Sequence, residues 1–110
     1  MNAGDLLWTP PDDARQRSRV GDFLGWLARE RGLDFAGYPD LWEWSTTDLS
    51  GFWGAVWEYF DVLGHTPATG VLTQARMPGA RWFPGATLNY AEHVLRMPGL
   101  AESDPVVFGH

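Results

Sequence analysis

Apolar residues recur at helical spacing in three parts of this chain. Val20, Phe23, Leu24 and Leu27 stand at i, i+3, i+4 and i+7, which predicts one face of a helix over residues 12–31. Asp12 or Asp13 would cap its start, and Gly32 suits a left-handed cap at its end. Arg29 and Arg31 complement the dipole in the last turn. Arg15, Ser18, Asp22, Gly25 and Arg29 fall on the opposite face, with Trp26 on the flank of the apolar stripe. Gly21 and Gly25 each weaken the helix by about 1 kcal/mol relative to Ala, but their spacing would let another backbone come close. The plainest helix is expected over residues 49–63. Leu49, Phe52, Trp53, Val56, Tyr59, Phe60 and Leu63 share an arc of roughly 120° at 100° per residue, with Gly54, Glu58 and Asp61 on the other side. Rings at that spacing are expected in a core.

The third pattern differs. From Leu88 to about Met97, with Thr87 as N-cap, Leu88, Ala91 and Leu95 lie on one side, and Tyr90, Val94 and Met97 on the other. Asn89, Glu92, His93 and Arg96 fill the polar stripe between. A helix apolar on two sides is expected to lie between two packed layers.

Between these stretches the chain reads as loop. The first thirteen residues are an extended lead-in: Leu6, Leu7 and Trp8 precede Thr9-Pro10-Pro11, where the prolines disfavour helix. Asp40 to Trp44 suggests one helical turn, followed by N-cap candidates from Ser45 to Asp48. Gly64 to Gly70 is turn-rich, Val71-Leu72-Thr73 suggests a short extended segment, and Ala75 to Ala80 is loop again. Asp104 to His110 contains Val-Val-Phe and reads as the start of a buried strand. The expected fold class is mainly α with long irregular loops, about three to four helices and a nascent C-terminal strand. The surplus apolar helix face and the terminal strand both suggest the first part of a larger protein.

Composition narrows the chemistry. The chain has 110 residues, room for one domain. Its 45% hydrophobic content argues against wholesale disorder. Net charge is −6, and all eight basic residues are Arg, with no basic stripe. That argues against nucleic-acid partners and against a polybasic membrane anchor. There is no cysteine, so disulfides, thiolate catalysis and Cys-based zinc sites are excluded. With no Lys either, neither a Walker-type phosphate loop nor a Schiff-base enzyme is possible on this chain alone. Neither a secretory signal nor an apolar run long enough to span a membrane is visible, and a cytoplasmic protein is expected.

Catalytic candidates are few. His65, His93 and His110 are far apart, and metal-ligand spacing is absent. His65 sits where a helix dipole favours an imidazole, with no nucleophile or carboxylate partner evident nearby. Asp12, Asp13, Asp40, Glu43, Asp48, Glu58 and Asp61 fit a solvated acidic surface. No catalytic, cofactor-binding or metal residue is assigned.

The most particular stretch is Arg81-Trp82-Phe83-Pro84-Gly85-Ala86-Thr87-Leu88-Asn89-Tyr90-Ala91-Glu92. It follows Leu7-Trp8-Thr9-Pro10, then Tyr38-Pro39-Asp40-Leu41-Trp42-Glu43-Trp44-Ser45, then Phe52-Trp53-Gly54-Ala55-Val56-Trp57-Glu58-Tyr59-Phe60. In that order the four stretches resemble the N-terminal region of acetoacetyl-CoA synthetases, acyl-CoA ligases of the adenylate-forming superfamily. Acetyl- and propionyl-CoA synthetases share the Phe-Trp helix and the Trp-Phe motif, but usually carry paired glycines where this chain has Gly85-Ala86. Asn89-Tyr90-Ala91-Glu92 and Trp44-Ser45 look like the acetoacetyl branch.

The resemblance implies a helical cap over residues 1–103 of a larger α/β enzyme, and at 104–110 the first strand of its large adenylation domain. It also implies a two-step reaction in which acetoacetate and ATP, with magnesium, give an acyl-adenylate and pyrophosphate, and CoA then gives the thioester and AMP. The phosphate loop, the acidic nucleotide motifs and the C-terminal Lys that such enzymes use are absent here, so this segment is expected to be inactive by itself. Its motif residues Trp8, Trp44, Phe52, Trp53, Trp82, Phe83, Gly85, Asn89 and Glu92 are expected to be structural, with Trp8, Trp53, Trp82 and Phe83 packing against the large domain. One rival is a free-standing module whose exposed, coplanar Trp rings stack on a ligand such as a sugar. Another is a structural subunit that completes a ligase supplied in trans.

Overall fold

The computed structural model describes residues 1–96, 99 and 101–105. Met97 and residues 106–110, where the end of the last helix and most of the terminal strand were expected, lie outside the described residues. The segment is mainly helical, with five helices and four short strands among the described residues. It divides into two compact units, Met1–Asp48 and Leu49–His110.

The first unit holds α1 (Ala14–Arg17), α2 (Arg19–Arg31) and α3 (Tyr38–Thr47). The helix expected over 12–31 is therefore broken. Ser18 adopts an extended conformation and its hydroxyl accepts from the Gly21 amide at 3.0 Å, so it starts a new helix instead of continuing the old one. Gly21 makes the fold-back possible: a Cβ there would lie 1.7 Å from the Arg15 carbonyl oxygen. The buried face of α2 is Gly21, Leu24 and Leu27, while Val20, expected in the core, is exposed. Gly32 ends the helix with φ 65°, its amide donating to the Leu27 carbonyl, as expected. Arg31 lies over the Trp26 ring at 5.9 Å.

α3 is longer than the single turn expected. Pro39 stands in its first turn, where a missing N–H costs nothing. Thr46 and Thr47 donate their hydroxyls to the Glu43 carbonyl, both at 2.9 Å, and so close this helix instead of capping the next. Arg15 closes the unit across sequence, donating to the carbonyls of Phe35 and Ala36.

The second unit begins with α4 (Leu49–Tyr59), which stops four residues short of the expected end. Asp61 takes the left-handed conformation at φ 46°. The Asp61 amide donates to the Glu58 carbonyl and the Val62 amide to that of Trp57, a Schellman pair of bonds. The aromatic stripe is not the core of this helix. Ala55 is its one buried residue among those described, and Leu49, Trp53 and Phe60 are exposed. Gly54, placed on the outer side by periodicity, is covered: a Cβ there would meet a Val71 methyl at 3.3 Å. Gly54 thus lets Val71 come close to α4, while the Trp53 ring meets Trp82.

Four strands follow: β1 (Gly64–Thr66), β2 (Leu72–Gln74), β3 (Arg81–Trp82) and β4 (Thr87–Leu88). β2 pairs antiparallel with β3, Leu72 opposite Trp82, and β1 pairs antiparallel with β4, Gly64 opposite Leu88. The β2–β3 pair is nested inside the β1–β4 pair. α5 (Tyr90–Leu95) is the last helix among the described residues. Its cap is Asn89, whose side chain accepts from the Glu92 amide at 3.1 Å; Thr87 lies in β4 instead. Leu88 likewise belongs to a strand. Tyr90 and Leu95 are exposed on α5, while Glu92, His93 and Val94 are half-buried.

Candidate functional site

Proline followed by glycine favours a sharp reversal, and the structure uses Pro84-Gly85 in that way. The Ala86 amide donates to the Phe83 carbonyl at 3.1 Å, with Gly85 at φ 87°, the arrangement of a type II turn. The turn is stitched to the loop after β1. Thr69 donates to the Pro84 carbonyl from both its amide, at 2.9 Å, and its hydroxyl, at 3.2 Å. The Thr66 hydroxyl donates to the Gly85 carbonyl at 2.7 Å. Having spent its one proton there, it accepts from the Thr87 hydroxyl, 2.8 Å away.

The turn sets Phe83 against α4. Phe83 holds φ at 43°, a conformation that bulky residues rarely adopt. Its amide donates to the Val71 carbonyl at 2.7 Å, and its ring meets Trp57 with centroids 4.4 Å apart. These two rings border an open groove of about 530 Å³. Its polar rim is Glu58, His65, Thr66 and Thr69. His65 has a carboxylate partner after all: its Nε2 lies 2.7 Å from Glu92 Oε2, and Arg96 approaches the other Glu92 oxygen at 3.5 Å. Sequence reading missed this because 27 residues separate the pair.

The motif residues thus divide into several roles. Phe83 and Gly85 form the turn, Asn89 caps α5, and Glu92 ties α5 to β1. Trp53 and Trp82 meet edge-on at 6.0 Å and 73°, both about two-fifths exposed (41% and 42%). Phe52 packs edge-on against Trp53 at 5.2 Å. Trp44, in the first unit, packs against Phe35 at 5.3 Å, with its indole N–H donating to Asp48. Trp8 is 71% exposed and joins none of these groups.

Among the described residues, no three His, Asp or Glu side chains gather as a metal site. The groove's rim has one carboxylate, Glu58, one imidazole, His65, and the hydroxyls of Thr66 and Thr69, and its lining includes no Arg or Lys. No described helix is long and apolar enough to cross a membrane.

Helices, two nested strand pairs and a Trp-Phe-Pro-Gly turn make up the described part of the chain. The chain belongs to the acetyl-coenzyme A synthetase N-terminus family, whose model it matches over residues 38–94. Within that class it corresponds to the N-terminal region of acetoacetyl-CoA synthetases. It is 36% identical over 108 residues to an acetoacetyl-coenzyme A synthetase of Rhizobium meliloti, covering 98% of this chain and 16% of that protein. It is 31% identical over 93 residues to a malonamoyl-CoA synthetase of Penicillium aethiopicum, covering 83% of this chain and 13% of that protein. The solved acetoacetyl-CoA synthetase of Streptomyces lividans superposes with a TM-score of 0.76 at 48% identity, over 81% of this chain and 14% of that one. The chain therefore spans about one-sixth or less of the length of these relatives.

Proposed function

We propose that this chain is the N-terminal scaffold of an ATP-dependent acid–CoA ligase that converts acetoacetate to acetoacetyl-CoA, with AMP and pyrophosphate as the other products, in the cytoplasm. The observation that carries this reading is the 48% identity to the Streptomyces lividans acetoacetyl-CoA synthetase at a TM-score of 0.76. The partner is the large adenylation domain of such a ligase, in which ATP, magnesium, CoA and the acid would be bound. The residues here do not fit those groups. There is no Lys in the sequence, and the groove beside Trp57 and Phe83 has Glu58, His65, Thr66 and Thr69 on its rim. No step of the reaction is therefore placed on this chain. Its contribution is to hold the Trp82–Ala86 turn and the Trp53–Trp82 edge for a larger body.

The stacking-platform alternative is disfavoured by the same rings. It needs exposed tryptophans that are coplanar, whereas Trp53 and Trp82 stand at 73°.

A chimera tests the proposal. This chain should replace the matching N-terminal part of the Streptomyces lividans enzyme with retention of acetoacetate-dependent AMP release, while the purified chain alone releases none. A folded but inactive chimera, or AMP release by the chain alone, contradicts the proposal.

A further inference from the structure

The β2–β3 pair differs in charge from the rest of the chain. Net charge is −6, yet from Val62 to Ala91 the sequence has no Asp or Glu. Apart from His65, the ionisable side chains of that span that carry charge are Arg76 and Arg81. Both stand at one end of the strand pair. Arg81 opens β3 opposite Gln74, the last residue of β2. Residues 75–80 join the two strands, and Gly79 at φ 97° turns the chain between them. Arg76 is two residues beyond Gln74. Its Cα therefore lies within roughly 13 Å of that of Arg81, from a cross-strand spacing of about 5.5 Å and a reach of about 3.6 Å per residue.

Elsewhere Arg15 donates to two carbonyls, Arg17 pairs with Asp13 and Arg96 with Glu92. The guanidiniums of Arg76 and Arg81 make no hydrogen bond or ion pair among the described residues, and both residues are exposed. Beside Arg76, Met77 is 87% exposed. Its flexible thioether would gain by leaving water for an apolar contact.

Charge complementarity selects the occupant. Guanidiniums without internal partners suit carboxylates, which they can grip in bidentate fashion. Two are too few for a nucleic acid, whose affinity grows with the number of phosphates neutralised. A small free anion would leave Met77 in water. A polypeptide with carboxylates on either side of an apolar residue engages all three side chains.

We propose that the loop end of the β2–β3 pair, through Arg76, Met77 and Arg81, is a docking surface for an acidic segment of a partner polypeptide. The inference goes beyond the ligase reading and stands on this loop alone.

The test is an NMR titration of the 110-residue chain at low salt with the blocked peptide Glu-Glu-Leu-Glu-Glu, and separately with inorganic phosphate. The peptide should shift the amide signals of Arg76, Met77 and Arg81 and the methyl signal of Met77. Combining Arg76→Gln with Arg81→Gln should weaken binding about fivefold, as the loss of two exposed charge pairs would. Met77→Ala should weaken it about threefold. Arg29→Gln, on α2, should leave it unchanged. Absent shifts, shifts centred elsewhere, or binding that survives the double variant overturn the proposal. So does an equal response to phosphate, which would mark a patch open to any anion. Should the double variant not fold, salt decides on the wild type: affinity must fall as ionic strength rises, and a constant affinity is equally fatal.

Discussion

Phe83 reaches Trp57 by holding an unfavourable backbone angle: φ is 43° while the ring centroids lie 4.4 Å apart. A left-handed L-residue costs about 1–2 kcal/mol, so the conformation persists only because contacts around it exceed that cost. Those contacts are the Trp57 ring and the bond from the Phe83 amide to the Val71 carbonyl. Phe83→Ala should therefore destabilise the chain by about 2–3 kcal/mol, less than a fully buried ring because Phe83 is half-buried. Phe83→Gly removes the same ring but also the strain. It should be more stable than Phe83→Ala by about 1 kcal/mol in denaturant unfolding. The reverse order would mean that the backbone angle carries no strain.

Gly21 offers a reversal of sign. Helix propensity alone says that Gly21→Ala in α2 should stabilise by about 1 kcal/mol. The new methyl would lie 1.7 Å from the Arg15 carbonyl oxygen, which is backbone and has little room to yield. The substitution should instead cost more than about 2 kcal/mol, as overpacking does. Gly25→Ala, facing only the mobile end of Arg29, is the control and should be near neutral. Thermal melts of the two variants decide the point.

Gly85 is required by the turn. At φ 87° in the third position of a type II turn, Gly85→Ala should lower stability by about 1–2 kcal/mol. Thr66→Val, which leaves the Gly85 carbonyl without its hydroxyl donor, should cost about 1 kcal/mol. The two effects should fall short of additive in a double variant, because both act on one turn. Full additivity, measured by urea unfolding, would separate the stitch from the turn.

The edge contact between Trp53 and Trp82 should give a coupling of about 0.5–1 kcal/mol in a double-mutant cycle to Ala. A coupling of zero would leave their proximity without energetic weight.

How much of this was legible in the sequence depends on range. The spacing of Leu24 and Leu27 and the cap at Gly32 are local signals, and α2 carries both. Ser18 was missed as a break because its capping bond and the fit of Gly21 against Arg15 depend on how the chain folds back. The aromatic stripe of α4 misled for a different reason. Periodicity identifies a face but not which face is covered, and here the compact Gly54–Ala55 side is covered, with Val71 against Gly54. The strands are two or three residues long, too short for alternation to register. His65 and Glu92 meet only because β1 and β4 pair. By contrast, Trp82-Phe83-Pro84-Gly85 was legible as a turn, since proline and glycine fix backbone angles locally.

The nesting of the two strand pairs carries a consequence for the order of assembly. The outer pair joins Thr66 to Thr87, while the inner pair joins Gln74 to Arg81 inside that span. Closing the shorter loop first costs less chain entropy, and it leaves two short connections for the outer pair to bridge instead of one long one. The chain should therefore zip from the inside outward, with α5 the last element to find its place.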